Sequence, residues 1–393
     1  MNHEGSASVL LFTGKGGVGK STLAAATAVH AAASGRRVHL VSTDAAHSLG
    51  DVFGREIGDE GIEVRPGLTV SEPDTRRHVE ASWEGIQSTL RELVARSGVD
   101  DIQAAEVSIV PGADELVSLS VIAELAADPE LDAVVVDCAP TAETVRLLSA
   151  PQVLSWWVER LAPVAPLVTS FMPALEQLVG IDVTAAAEQS GWRALLDTLA
   201  ATTEILTDTD RTGVRLVAAP NPVVAAETRR AASYVSLFGL RVDRVFVNRV
   251  LPDEVTDPFF AQWREVESDQ LGGLAADLAP APVAAVPLAS SEIVGLDALE
   301  RLGAAVYGEG DGLGRATVAP VQRWGSDDEG AFLDLAVGPV DGRSLELGRR
   351  GQELHVAIGP NRRSIVLPDA LQSALVRGAS IDGETLRIRF AAV

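Results

Sequence analysis

The chain has 393 residues, 47% of them hydrophobic and 22% charged, with 35 glycines and 20 prolines. That balance excludes a disordered polypeptide and fits about two or three folded units. Lysine plus arginine number 32 against 55 aspartates and glutamates, and the formal charge of −23 repels phosphate backbones and anionic lipid, so no nucleic-acid partner is expected.

A single cysteine, Cys138, excludes an intramolecular disulfide and any cysteine-based zinc cage within one chain. Met1 to Ser8 carry no basic region, and the apolar run after them breaks at Lys15, unlike a signal peptide. The longest later uncharged apolar stretch, residues 161–175, is shorter than the roughly 20 residues of a bilayer span. It also holds Pro163, Pro166 and Pro173. A cytoplasmic location is expected.

Short valine-rich runs alternate with alanine- and leucine-rich stretches. Val9–Thr13, Val38–Ser42, Leu68–Val70, Ala133–Asp137, Val214–Ala219, Val242–Asn248 and Val283–Val286 are predicted as buried strands. Near-continuous apolar strands separated by helical patterns predict a doubly wound, mostly parallel α/β sheet. This unit is expected over residues 1–308. Residues 76–207 read as a mostly helical insertion interrupted by one strand. Its middle carries Trp156, Trp157, Leu161, Leu167, Phe171, Met172 and Leu175 with few charges. It reads either as a buried helical layer or as a surface that meets an apolar client.

Residues 309–326 read as a glycine-rich and polar linker. Beyond it, residues 327–393 contain only short strands separated by turns. Phe332–Val337, Ser344–Leu347, Glu353–Ile358, Arg363–Leu367, Gly378–Ile381 and Thr385–Phe390 predict a small all-β sandwich.

The chemistry is carried by Gly14-Lys15-Gly16-Gly17-Val18-Gly19-Lys20-Ser21, followed by Thr22. It fits the phosphate-binding loop G-x-x-x-x-G-K-[ST], after a strand and before a helix. Its glycines let backbone N–H groups face phosphate oxygens, and the helix start adds its dipole. Lys20 is expected at the β- and γ-phosphates of ATP and Ser21 on Mg²⁺. Asp44, just past the second strand, is expected to orient the attacking water. Asp51 is a candidate for the Mg²⁺ surroundings or a turn cap. Asp137 ends an apolar strand and is expected to hold Mg²⁺ through water.

Lys15 makes the loop resemble the deviant Walker A signature, K-G-G-x-G-K-[ST], of the MinD, ParA, nitrogenase iron protein and ArsA ATPases. In that class the extra lysine reaches the nucleotide of a dimer partner. Ser42-Thr43-Asp44-Ala45-Ala46-His47-Ser48-Leu49-Gly50-Asp51 resembles the first switch of the ArsA and tail-anchored-protein-targeting ATPases, with Ala45 in place of proline. Asp137-Cys138-Ala139-Pro140-Thr141-Ala142-Glu143-Thr144 resembles the second switch, with departures at Cys138, Ala142 and Glu143. Phe246-Val247-Asn248-Arg249 resembles the strand end whose asparagine reads adenine, and Val110 to Leu116 resembles a further family segment. Residues 345–354 and 362–368 resemble the α-crystallin (small heat-shock, HSP20-like) sandwich carried by some bacterial members.

The resemblance implies a Mg·ATP-dependent homodimeric ATPase. Its partner would be a hydrophobic or membrane-protein client, captured and released as ATP is hydrolysed. An arsenite or anion efflux motor is the alternative. Soft metalloids need two or three converging thiolates, and one cysteine does not supply them. The family's C-x-x-C zinc pair is also missing. A MinD- or ParA-like positioning ATPase is the third reading. The acidic balance and the lack of a basic amphipathic C-terminal helix argue against it.

Overall fold

In a computed structural model of the protein, the described residues are 7–44, 48–73, 113–141, 144, 203–314, 322–338 and 345–391. The apolar segment 156–175 and the residues Ala142 and Glu143 lie outside them.

Eight strands form one sheet in the order β3-β4-β2-β5-β1-β6-β7-β8. They are β1 Ser8–Gly14, β2 Val38–Ser42, β3 Ile62–Arg65, β4 Leu68–Ser71, β5 Ala133–Asp137, β6 Thr212–Ala218, β7 Val242–Val250 and β8 Val283–Pro287. All neighbours run parallel except β3, which pairs antiparallel with β4. Successive residues of β5 and β6 are buried without alternation, so both faces of the central sheet are covered. The expected doubly wound architecture is the one observed. Strand β3 was not among the expected strands: its sequence, Ile-Glu-Val-Arg, is short and carries two charges in four residues. It belongs at an edge, where one side needs no apolar cover.

Helix α1, Lys20–Ala33, packs over β1, β2 and β5, and α6, Leu296–Tyr307, lies against α1. Helix α2, Ser48–Phe53, follows β2. Helix α3, Ala113–Ala127, precedes β5, while α4, Pro222–Leu237, covers β6 and β7 and touches α5, Ala261–Asp277. No helix among the described residues is long and apolar enough to cross a membrane.

The C-terminal part is antiparallel. A four-stranded sheet, β14-β15-β10-β9, faces a three-stranded sheet, β11-β12-β13. The strands are β9 Gln322–Asp327, β10 Gly330–Ala336, β11 Leu345–Arg350, β12 Glu353–Ile358, β13 Asn361–Val366, β14 Val376–Asp382 and β15 Thr385–Phe390. In β15, Leu386, Ile388 and Phe390 alternate inward and meet Leu333, Leu335, Leu354 and Val356 in a core separate from that of the large sheet.

Strand β9 occupies residues expected to be linker. Its sequence, Gln-Arg-Trp-Gly-Ser-Asp, has little β-propensity. Pairing with β10, from Leu335↔Gln322 to Gly330↔Asp327, holds it in place. The first part of the expected linker is also fixed. His30 Nε2 meets the Gly310 carbonyl at 2.6 Å and Arg36 pairs with Asp311 at 2.9 Å. Fully buried Arg215 donates to the Gly312 and Gly314 carbonyls and pairs with buried Asp243 at 3.1 Å.

Candidate active site

The parallel strands bring three acidic or hydroxyl-bearing ends, Ser42, Ser71 and Asp137, close to level beside the end of β1. Phe12 and Ser42 both register with Asp137, and Val41 with Ser71. The segments leaving this edge are the phosphate loop after β1, residues 43–44 after β2, Glu72 after β4 and Cys138 onward after β5. Ligands of open α/β sheets bind at such carboxyl ends.

Two contacts fix the loop. A β-carbon at Gly14 would overlap the Val217 carbonyl oxygen of β6, so only glycine lets β1 end this close to its neighbour. Gly19 caps α1 in the left-handed region, φ 95°, where a β-carbon would also meet the Asn248 amide. No side chain caps α1 and no acid stands in its first turn, so its leading N–H groups remain for an anion.

Lys20 is 6% exposed, with Nζ 4.0 Å from Asp44 Oδ2. The two expected catalytic groups are thus adjacent at the loop mouth. Ser21 Oγ lies 2.7 Å from Ser48 Oγ, the first residue of α2. Asp51 is on the same helix but exposed; Ser48 is the α2 side chain that reaches Ser21.

Asp137 is fully buried, and neither of its carboxylate oxygens has a hydrogen-bond partner of ordinary geometry among the described residues. Burial pushes its carboxyl up to about 7; nearby Ser21 and Lys20 offset part of this, while Asp44 and Glu72 add to it. An orphaned carboxylate behind a hydroxyl-bearing phosphate loop is the donor set that a hard divalent cation uses. Ser21 and Asp137 therefore fit Mg²⁺.

The second switch begins in fixed contacts. Thr144 Oγ1 lies 2.8 Å from Thr13 Oγ1 and donates to the Ala139 carbonyl at 2.7 Å. Cys138 is buried, its N–H bonds the Phe12 carbonyl, and burial pushes its thiol well up, so it stays protonated.

At β7 a bulge at Arg249, φ 64°, shifts the register between Asn248 and Val250. Asn248 Nδ2 donates to the Val18 carbonyl at 2.8 Å, and its Oδ1 accepts from Arg249 N–H at 2.9 Å. The expected adenine-reading amide thus braces the phosphate loop here. Lys15 points away from its own loop: Nζ pairs with Glu227 of α4 at 3.3 Å.

Residues 7–308 match the anion-transporting ATPase family, and residues 328–390 match the HSP20-like domain found in ArsA proteins. The chain belongs to the ArsA family of ATPases. It is 32% identical to a putative arsenical pump-driving ATPase of Chlorobaculum tepidum, over 97% of this chain and 95% of that one. A similar protein of Aquifex aeolicus is 29% identical over 97% and 99% of the two chains. The arsenical pump-driving ATPase of Escherichia coli is 31% identical over 75% of this chain and 48% of its own.

The family makes the chain an ATPase of the ArsA type. Ser48, Glu72 and Glu227 of this ArsA-type site escaped the sequence reading. Ser48 sits inside the first-switch stretch, and Glu72, like Asp137, is an acid at a strand end. Glu227 lies in a helix with no local signal.

Proposed function

We propose that the chain is a Mg·ATP-dependent ATPase that acts as a homodimer and couples hydrolysis to capture and release of a hydrophobic client. The observation that carries the reading is Lys15. Its ammonium is held on Glu227, outside its own loop, at 40% exposure, and a partly exposed ion pair of this kind is worth only about 0–1 kcal/mol. Lys15 is therefore cheaply released to a partner's phosphates. Exposed Val223, Phe259, Leu288 and Val294 follow β6, β7 and β8 on the edge that holds the site, which supports a second copy packing there.

Within one site, Lys20 and the α1 N-terminus hold the β- and γ-phosphates. Asp44, beside Lys20, orients the attacking water and accepts its proton. Ser21 and Asp137 would hold Mg²⁺, and the cation, when bound, would neutralise phosphate charge. The client reading rests on the apolar, proline-broken sequence around Trp156, Trp157, Leu161, Leu167, Phe171, Met172 and Leu175. The reading includes a cytoplasmic location and no nucleic-acid partner.

The names of the relatives favour a second reading, the motor of an arsenical pump. Cys138 argues against metalloid binding by this chain, because it is the sole cysteine, is buried and keeps its thiol protonated. Steady-state ATPase activity with an apolar helical peptide or with arsenite separates the two. Stimulation by the peptide alone is expected; stimulation by arsenite alone would transfer the conclusion to the pump.

A further inference from the structure

Glu72 belongs to none of the nucleotide motifs, yet it is buried, 5% exposed, immediately after β4. Its Oε1 accepts the Leu49 N–H of α2 at 2.6 Å, and its own N–H is held by the Gly58 carbonyl at 3.1 Å. A β-carbon on Gly50 would lie 3.6 Å from Glu72 Oε2, so the first turn of α2 rests on this carboxylate. Six residues are too few for a helix to hold itself, and its placement must come from such outside contacts. The residue before Leu49 is Ser48, whose hydroxyl lies 2.7 Å from Ser21 Oγ.

From this chain of contacts we infer that Glu72 and Ser48 are positioning residues of the hydrolytic site: Glu72 fixes the start of α2, and Ser48 then fixes the Ser21 hydroxyl. A serine hydroxyl has one hydrogen and two lone pairs. Held against the Ser48 hydroxyl, Ser21 Oγ keeps a lone pair for a cation and loses its freedom to rotate. The first switch is thereby joined to the metal ligand through one side-chain contact. This inference rests on the reading of Ser21 as a Mg²⁺ ligand.

The test is Mn²⁺ binding to the full chain with ADP, followed by electron paramagnetic resonance, beside ADP affinity without metal. Ser48→Ala and Glu72→Ala should each weaken Mn²⁺ by about tenfold, as supporting groups of metal ligands do, and leave metal-free ADP affinity unchanged. Glu72→Gln keeps an oxygen for the Leu49 N–H and should recover most of the loss. The double variant should be no weaker than the weaker single one, since the two act in series. Unchanged Mn²⁺ affinity in Ser48→Ala, while Ser21→Ala loses the metal, would overturn the positioning role. Unchanged affinity in Ser21→Ala as well would instead overturn the metal reading beneath it. If Glu72→Ala does not fold, Ser48→Ala and Glu72→Gln decide. A lower melting temperature in Glu72→Gln with Mn²⁺ affinity intact in Ser48→Ala would assign Glu72 to stability alone.

Discussion

Asp137 meets opposite demands with and without a cation. Burial raises its carboxyl from 3.8 to about 7, so in that interval the metal-free fold holds a proton that the unfolded chain releases. The stabilising contribution is complete below 3.8 and is lost as pH rises through about 7. His39, bonded to Ser71 at 2.8 Å, has the other sign: burial lowers it to about 4, so its contribution is present above 6.5 and is lost as pH falls toward about 4. Asp137→Asn separates the two effects. Without divalent cation the variant should melt several degrees above the parent at about pH 8, and the gap should close toward about pH 5. Equal melting curves at both pH values would contradict a carboxylate whose ionisation is opposed by burial. Magnesium with ADP should stabilise the parent more than the variant, because the cation rewards the ionised form.

Helix α1 delivers Lys20 and Ser21, so its seat matters to the site. Gly303 of α6 allows the two helices to approach: a β-carbon there would lie 2.6 Å from His30 Cβ and 2.8 Å from the Ala26 carbonyl. Gly303→Ala should therefore cost about 1–3 kcal/mol, seen as a lower urea midpoint at unchanged slope. An unchanged midpoint would show that the helices have room to part. At this scale the sequence was most legible where a strand is buried on both faces. Runs such as Val134-Val135-Val136 allow one period and one environment. Strands β3 and β9 were not legible, because an edge strand needs few apolar residues and its pairing comes from a distant neighbour. The phosphate loop, Asp44 and Asp137 could be read from spacing, since backbone geometry dictates their residue types. The links from Lys15 to Glu227 and from Ser48 to Ser21 depend on packing across 212 and 27 residues, and no local pattern records them.

Across the molecule, α4 joins the two folded parts. Its start carries Glu227, which holds Lys15, and Leu237 at its end enters the sandwich core. Arg363 of β13 donates to the Leu237 carbonyl and to Gln322 Oε1, both at 2.9 Å, and burial lowers its guanidinium to about 10, so it stays charged at neutral pH. Arg363→Ala should loosen this docking and add an earlier calorimetric transition for the sandwich, apart from that of the large sheet. A scan as cooperative as the parent's would place the docking energy in the apolar contact of Leu237 and Tyr234 instead.

In the proposed homodimer each chain completes the other's site, and mixing two inactive variants tests this. Lys15→Ala should keep nucleotide affinity and lose turnover, while Asp44→Asn should bind ATP and hydrolyse it poorly. Neither homodimer has a site with both groups. In a heterodimer, the site whose Asp44 is intact receives Lys15 from the other chain, so ATPase activity should partly return, in proportion to the heterodimer formed. Verified heterodimers that stay as inactive as either parent variant would contradict the account.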